Sequence, residues 1–196
     1  MISFVYFDLG GVVIQDFSGT SHWAELKKEW GIVPDQDKVF DDFWDSFESD
    51  LCLGKINTAQ IPVPEGYEKM LGDFVSRFET NPSIWPVIDE IHATCRIGLL
   101  TNMYPGMFEA IKKRDLLPHV AWDVVIDSSL VGIQKPDSRI FQLAEQRSSV
   151  RGQEILFVEN TKKNVEVAKK IGWQTFLYDS AHPKDSSQNL LRSYFQ

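Results

Sequence analysis

The 196-residue sequence is poor in cysteine, in positive charge and in long apolar runs, and each shortage excludes a class of protein. Two cysteines, Cys52 and Cys95, are too few for a disulfide framework and sit at no metal-ligand spacing. They read as reduced thiols buried as small apolar residues in a cytoplasmic chain. The four histidines, His22, His92, His119 and His182, share no ligand spacing either. Only 20 Lys and Arg face 28 Asp and Glu, a formal charge of −8. Nucleic-acid binding needs a concentrated cationic face, and the sequence offers none, so no nucleic-acid partner is expected. No apolar run approaches the roughly 18 residues of a spanning helix. No basic segment precedes the short apolar run 2–7, so neither a membrane anchor nor a secretory leader is expected. What the chain does have is 43% apolar, 12% aromatic and 24% charged residues. That is ample core material for one globular domain, or one domain carrying an insertion.

Short β-rich runs at 3–7, 96–100, 122–126, 155–159 and 174–178 alternate with helical patterns, which predicts a parallel sheet with crossover helices. The near-continuous apolar runs 4–7 and 155–158 suit strands covered on both faces. Ile140, Phe141, Leu143 and Ala144 make one helical stripe. Val165, Ala168 and Ile171 make another, with Gly172 where a left-handed C-terminal cap is expected. Residues 15–87 have a different texture. Three stripes recur there at helical spacing: Trp23, Leu26 and Trp30; Val39, Phe43 and Phe47, widened by Phe40 and Trp44; and Met70, Leu71, Phe74, Val75 and Phe78. They predict three or more amphipathic helices packed as a small bundle, with aromatics that serve as core more readily than as a ligand box. Ile61-Pro62-Val63-Pro64 interrupts the pattern, and Asn81-Pro82 with Pro86 marks the return to the sheet. The expected architecture is α/β: a Rossmann-like parallel-sheet core over 1–14 and 88–196, and a small α-helical cap over 15–87 inserted after the first strand.

The polar residues of interest sit at strand ends. Asp8 closes the first apolar run, which places a carboxylate where open α/β sheets form their ligand crevices. Gly10-Gly11 follows at once and permits close backbone approach or positive φ. Leu99-Leu100 ends in Thr101-Asn102, residues 128–134 lead into Lys135-Pro136-Asp137, and Phe157-Val158 ends in Glu159-Asn160. Each alone also reads as turn or capping chemistry: Asp8 can start a turn, Thr101, Asn102, Asn160 and Thr161 can cap helices, and Lys135 can be a solvated loop lysine. Glu159 is harder to dismiss, because a buried unpaired carboxylate is costly.

Taken in order, Phe7-Asp8-Leu9-Gly10-Gly11-Val12, Leu100-Thr101-Asn102, Gly132-Ile133-Gln134-Lys135-Pro136-Asp137 and Phe157-Val158-Glu159-Asn160 with the following Asn164-Val165-Glu166-Val167-Ala168 resemble the haloacid dehalogenase-like hydrolase superfamily. The resemblance spans 2–178 and points to the phosphatase and dehalogenase branch with a helical cap between its first and second motifs. It implies that Asp8 is the nucleophile and forms an aspartyl-phosphate. It implies a phosphoryl site of Gly11, Thr101, Asn102 and Lys135, in which Thr101 holds an oxygen, Asn102 shapes the loop and Lys135 neutralises charge. It also implies Mg²⁺ held by Asp8, the Gly10 carbonyl, Glu159 and Asn160.

Two departures matter. Gly10 stands where phosphatases of this resemblance carry a second Asp as general acid, a group worth about 10²–10⁴ in rate. Asn160 replaces a carboxylate by a neutral amide, which lowers the ligand charge and should weaken Mg²⁺ binding. The reading that results is a Mg²⁺-dependent phosphomonoesterase for a small phosphorylated metabolite. Two alternatives stand beside it: a catalytically impaired relative that binds a phosphorylated ligand or a protein partner, and a metal-independent 2-haloacid dehalogenase. The cap would act as a lid that excludes water. It is also large enough to mediate a homodimer.

Overall fold

The computed structural model describes residues 1–61 and 70–196, so the Pro62-Val63-Pro64 interruption lies outside the described residues. The chain opens with β1 (Phe4–Phe7) and β2 (Ile14–Gln15), followed by the helices α1 (His22–Glu29), α2 (Asp37–Cys52) and α3 (Met70–Ser76). It returns through β3 (Glu79–Thr80) to α4 (Trp85–His92), β4 (Arg96–Thr101), α5 (Met107–Lys113), β5 (Val124–Asp127) and α6 (Ser128–Val131). The last elements are α7 (Ser138–Ser148), β6 (Ile155–Glu159), α8 (Lys162–Lys170), β7 (Gln174–Leu177) and α9 (Pro183–Tyr194).

Five of the strands form one parallel sheet in the order β5-β4-β1-β6-β7. All four residues of β1 are fully buried, and alternation sends them to opposite faces. Val5 and Phe7 join Ile88 and Ile91 of α4, Ile111 of α5 and Leu190 of α9. Phe4 and Tyr6 join Ile140, Phe141 and Ala144 of α7 and Ala168 of α8. This is an α/β, Rossmann-like fold, and covering both faces is what makes these strands near-continuous apolar runs. All five expected strands form within two residues of their expected bounds. Gly98, in the middle of β4, lets the β1 aromatics cross: a Cβ there would lie 2.7 Å from the Val124 carbonyl oxygen and 2.9 Å from the Tyr6 ring. Among the described residues no helix is long and apolar enough to cross a membrane.

Helices α1 to α3 are bracketed by a two-stranded antiparallel ribbon in which Ile14 pairs with Thr80 and Gln15 with Glu79. Their aromatic stripes pack on one another: Trp44 stacks on Phe74 at 4.9 Å between ring centroids, Trp23 lies 5.4 Å from Phe74, and Phe17 meets Phe74 edge-on at 4.9 Å. This cluster is continuous with the sheet face that carries Val5 and Phe7. Polar ties cross the same seam. Trp44 Nε1 donates to Tyr104 Oη at 3.3 Å, Gln134 Nε2 donates to Ser49 Oγ at 2.9 Å, and the Arg114 guanidinium donates to the Val75 and Phe78 carbonyls at the end of α3.

The ribbon and α9 have no counterpart in the sequence reading. Two-residue strands are too short to show a period. Helix α9 buries Ser186 and Ser187 beside Leu190, so its inner face does not read as an apolar stripe. The Ser187 hydroxyl donates to the Pro183 carbonyl at 2.7 Å, and the Ser186 hydroxyl accepts the Asp179 N–H at 2.9 Å, which satisfies both buried groups.

Candidate active site

The strand order makes β1 the point where the chain reverses its direction across the sheet: β4 and β5 extend to one side of it, β6 and β7 to the other. Ligand crevices form at the carboxyl ends of strands at such a point. There the register sets Phe7 beside Leu99 and Val158, so Asp8, Thr101 and Glu159 emerge at the same edge. Lys135 reaches this edge from the loop between α6 and α7. Its Nζ lies 2.8 Å from Asp8 Oδ1 and 2.7 Å from Glu159 Oε2, with both Lys135 and Glu159 essentially without exposure.

One buried ammonium thus sits between two carboxylates. Burial and the Glu159 charge push Asp8 up to about 7, against the pull of Lys135 and of the Leu9 N–H, which donates to Oδ1 at 2.8 Å. Burial acts to lower the Lys135 value, but Asp8 and Glu159 outweigh it and hold the ammonium above the ordinary lysine range. Glu159 is the anchor of this arrangement. Oε1 accepts the Thr161 N–H at 2.8 Å, and Oε2 accepts Asn164 Nδ2 at 3.1 Å besides Lys135. Both oxygens accept hydrogen bonds inside the protein, and through Oε2 Glu159, expected among metal ligands, also holds Lys135.

Asn102 clasps the Lys135 main chain from both ends of its amide: Nδ2 donates to the Lys135 carbonyl at 2.9 Å, and Oδ1 accepts the Lys135 N–H at 2.8 Å. Its work is to position the lysine. Thr101 is buried and lines, with Asp8, Gly10, Asn102 and Lys135, a cavity of about 230 Å³. Gly11 is not part of that wall. Its N–H donates to the Ile14 carbonyl, its carbonyl accepts the Ser180 hydroxyl at 2.7 Å, and at φ +74° a Cβ would lie 2.2 Å from Asn160 Nδ2. The expected substrate contact is therefore a packing position that only glycine fills.

Asn160 presents its amide nitrogen to the Gly10 carbonyl at 3.2 Å and to Ser180 Oγ at 3.0 Å. For Mg²⁺, the Asp8 carboxylate and the Gly10 carbonyl are hard oxygens on one cavity, which fits a cation that takes one or two carboxylates and completes its shell with water and phosphate oxygens. Asn160 adds no charge to that set.

One residue that sequence reading passes over stands in the middle of the site. Asp16, the residue after β2, has Oδ1 fixed by the Ser18 N–H at 2.8 Å, while Oδ2 lies over Gly10, 2.2 Å from where a Cβ on that glycine would be. Burial raises its carboxyl above the usual range, against the bonds from Ser18. Asp16 lines the Asp8 cavity and also a second one of about 460 Å³ beneath the helices, walled by Phe17, Asp45, Glu48, Phe74 and Tyr104. The signal available in the sequence is an acidic residue where the apolar run ends and the helical insertion begins.

The family described as haloacid dehalogenase-like hydrolase matches residues 2–172. Mouse acyl-CoA dehydrogenase family member 10 is 32% identical over 131 residues, 66% of this chain, but the match spans only 12% of that protein. Among solved structures, a HAD family enzyme from Bacteroides thetaiotaomicron superposes with a TM-score of 0.80 at 16% identity, covering 100% of this chain and 99% of that one. The same enzyme in complex with magnesium and inorganic phosphate gives 0.75, covering 92% and 96% at the same identity. The L-2-haloacid dehalogenase of Xanthobacter autotrophicus, with chloropropionic acid covalently bound, gives 0.63 at 19% identity, covering 100% and 84%. At these identities the structural likenesses establish the fold.

Proposed function

The chain belongs to the haloacid dehalogenase-like hydrolases, and from that premise we propose that it is a phosphomonoesterase acting through Asp8 on a small phosphorylated metabolite. The observation that carries this reading is the Lys135 ammonium 2.8 Å from the Asp8 carboxylate, on a polar cavity at the carboxyl edge of the sheet. A carboxylate held beside a fixed cation approaches a phosphoryl dianion with part of the mutual repulsion already offset. Asp8 attacks phosphorus, the bond to the leaving oxygen breaks, and an aspartyl-phosphate forms on Asp8. The Thr101 hydroxyl and the Lys135 ammonium hold the phosphoryl oxygens, and Glu159 and Asn102 keep Lys135 in place. Mg²⁺, which Asp8 and the Gly10 carbonyl would hold, supplies charge compensation for the phosphoryl oxygens when bound. The relative solved with magnesium and inorganic phosphate supports the same choice of chemistry.

The test is hydrolysis of an aryl phosphate with Mg²⁺ present. Asp8→Asn should lower turnover by on the order of 10³-fold or more. Turnover that Asp8→Asn leaves intact would refute the nucleophile. Release of halide from a 2-haloacid in the presence of chelator would instead favour displacement at carbon, the reaction class named for the Xanthobacter enzyme.

A further inference from the structure

We propose that Asp16 is the general acid and base of this site, entering from the ribbon to take the place left vacant by Gly10. The inference rests on the phosphatase reading and adds a residue to it. Expelling an alkoxide is slow unless a proton reaches it in the transition state, so the reaction needs a donor beside the leaving oxygen. The chain has no side chain at position 10 to provide one, and the space such a side chain would enter is taken by Asp16, whose Oδ2 lies 2.2 Å from the would-be Cβ. That is the span across which a carboxylate at position 10 would itself carry its oxygen.

Three features fix Asp16 there. It follows the paired residues Ile14 and Gln15, so the ribbon sets its backbone. Its Oδ1 is anchored on the Ser18 N–H, which leaves Oδ2 as the oxygen facing Gly10. It is also a wall of both cavities, the one with Asp8 and Lys135 and the one beneath the helices. A phosphomonoester spanning them places phosphorus by Asp8 and its alcohol in the larger space, with the bridging oxygen at their junction, where Asp16 stands.

The step balances. As Asp8 bonds to phosphorus, the electron pair of the breaking P–O bond goes to the leaving oxygen, which takes the proton from Asp16 Oδ2 and departs as the alcohol. The Asp16 carboxylate then takes a proton from a water that attacks the aspartyl-phosphate at phosphorus. The P–O bond to Asp8 breaks, inorganic phosphate leaves, and both residues return to their starting states.

The experiment compares an aryl phosphate, whose leaving group needs no proton, with a simple alkyl phosphate, using the full chain with Mg²⁺. Asp16→Asn should lower kcat/KM, which reads the steps up to cleavage of the ester P–O bond, by about 10²–10⁴ on the alkyl ester and by less than about tenfold on the aryl ester, whereas loss of the base in the shared hydrolysis of the aspartyl-phosphate lowers kcat on both. The ratio of the two rates is read, because a partly folded preparation lowers both together. A ratio unchanged in both Asp16→Asn and Asp16→Ser overturns the assignment. So does a wild-type protein that turns over the aryl ester through Asp8 but not the alkyl ester, and that result leaves the phosphatase reading standing. Absence of Asp8-dependent turnover on either ester overturns both readings. Recovery of alkyl turnover when Gly10→Asp is added to Asp16→Gly would support the shared position directly.

Discussion

At the scale of single residues, the site is a problem of unequal charge: two carboxylates, Asp8 and Glu159, share one buried ammonium. Asn160 stands at the edge of this arrangement and bonds the Gly10 carbonyl through its amide nitrogen. Asn160→Asp would set a carboxylate oxygen against that carbonyl with no hydrogen between them, a repulsion that only a cation relieves. The variant should therefore be less stable than wild type in chelator and bind Mg²⁺ more tightly, by roughly tenfold if one added ligand charge contributes about 1.4 kcal/mol. Thermal melts with and without Mg²⁺ give both quantities. An unchanged Mg²⁺ dependence would show that position 160 serves packing against Ser180 alone. The sequence makes some of these residues legible and not others, for a physical reason. Asp8, Thr101 and Glu159 lie at ends of strands whose apolar runs are unmistakable, so their convergence follows from the sheet. The hydrogen bonds that tie Gly11 to Ser180 and Glu159 to Lys135 inside the protein depend on loops far along the chain, and position at a strand end does not reveal them. Asp16 escapes the sequence because its position depends on a two-residue pairing with Thr80 and Glu79, more than 60 residues away along the chain.

At the scale of elements, the helical insertion meets the core at a seam where one glycine is decisive. Gly54, just past the end of α2, has φ +66°, and a Cβ there would lie 2.0 Å from the Ser129 carbonyl oxygen in α6. The obstruction is backbone, so a side chain cannot swing aside; the helix end or α6 must move. Gly31, past the end of α1, has a similar φ of +78° but nothing within 4 Å of its would-be Cβ. The pair separates strain from contact. Gly31→Ala should destabilise by about 1 kcal/mol from the left-handed backbone alone. Gly54→Ala should destabilise by a further 1–3 kcal/mol, roughly, from the forced shift. In a chain of this length each kcal/mol lowers Tm by about 2–4 °C. A Gly54→Ala variant as stable as Gly31→Ala would mean that α2 and α6 are not in firm contact. Helix periodicity reveals that α2 exists, but it says nothing of which element its end will touch.

At the scale of the whole molecule, the question is whether the helical insertion unfolds with the sheet or before it. The ribbon of four residues would be a weak connection on its own, since a two-stranded pair is marginal in water. The apolar core argues otherwise: Phe40, Trp44 and Phe74 belong to the same buried cluster as Val5 and Phe7 of β1, so exposing one set uncovers the other. The bonds from Arg114 to the end of α3 and from Trp44 to Tyr104 add polar ties across the seam. We therefore expect one cooperative transition. The six tryptophans divide evenly, with Trp23, Trp30 and Trp44 between the ribbon strands β2 and β3, and Trp85, at the start of α4, Trp122 and Trp173 beyond them. Fluorescence accordingly draws on three tryptophans of the insertion and three of the core, while circular dichroism averages over the helices of both parts. The two probes should give the same thermal midpoint, and removing the Trp44 ring (Trp44→Leu) should lower both together. Separate midpoints, with fluorescence changing first, would instead make the insertion an independently melting lid and would shift the control of substrate access from packing to the ribbon.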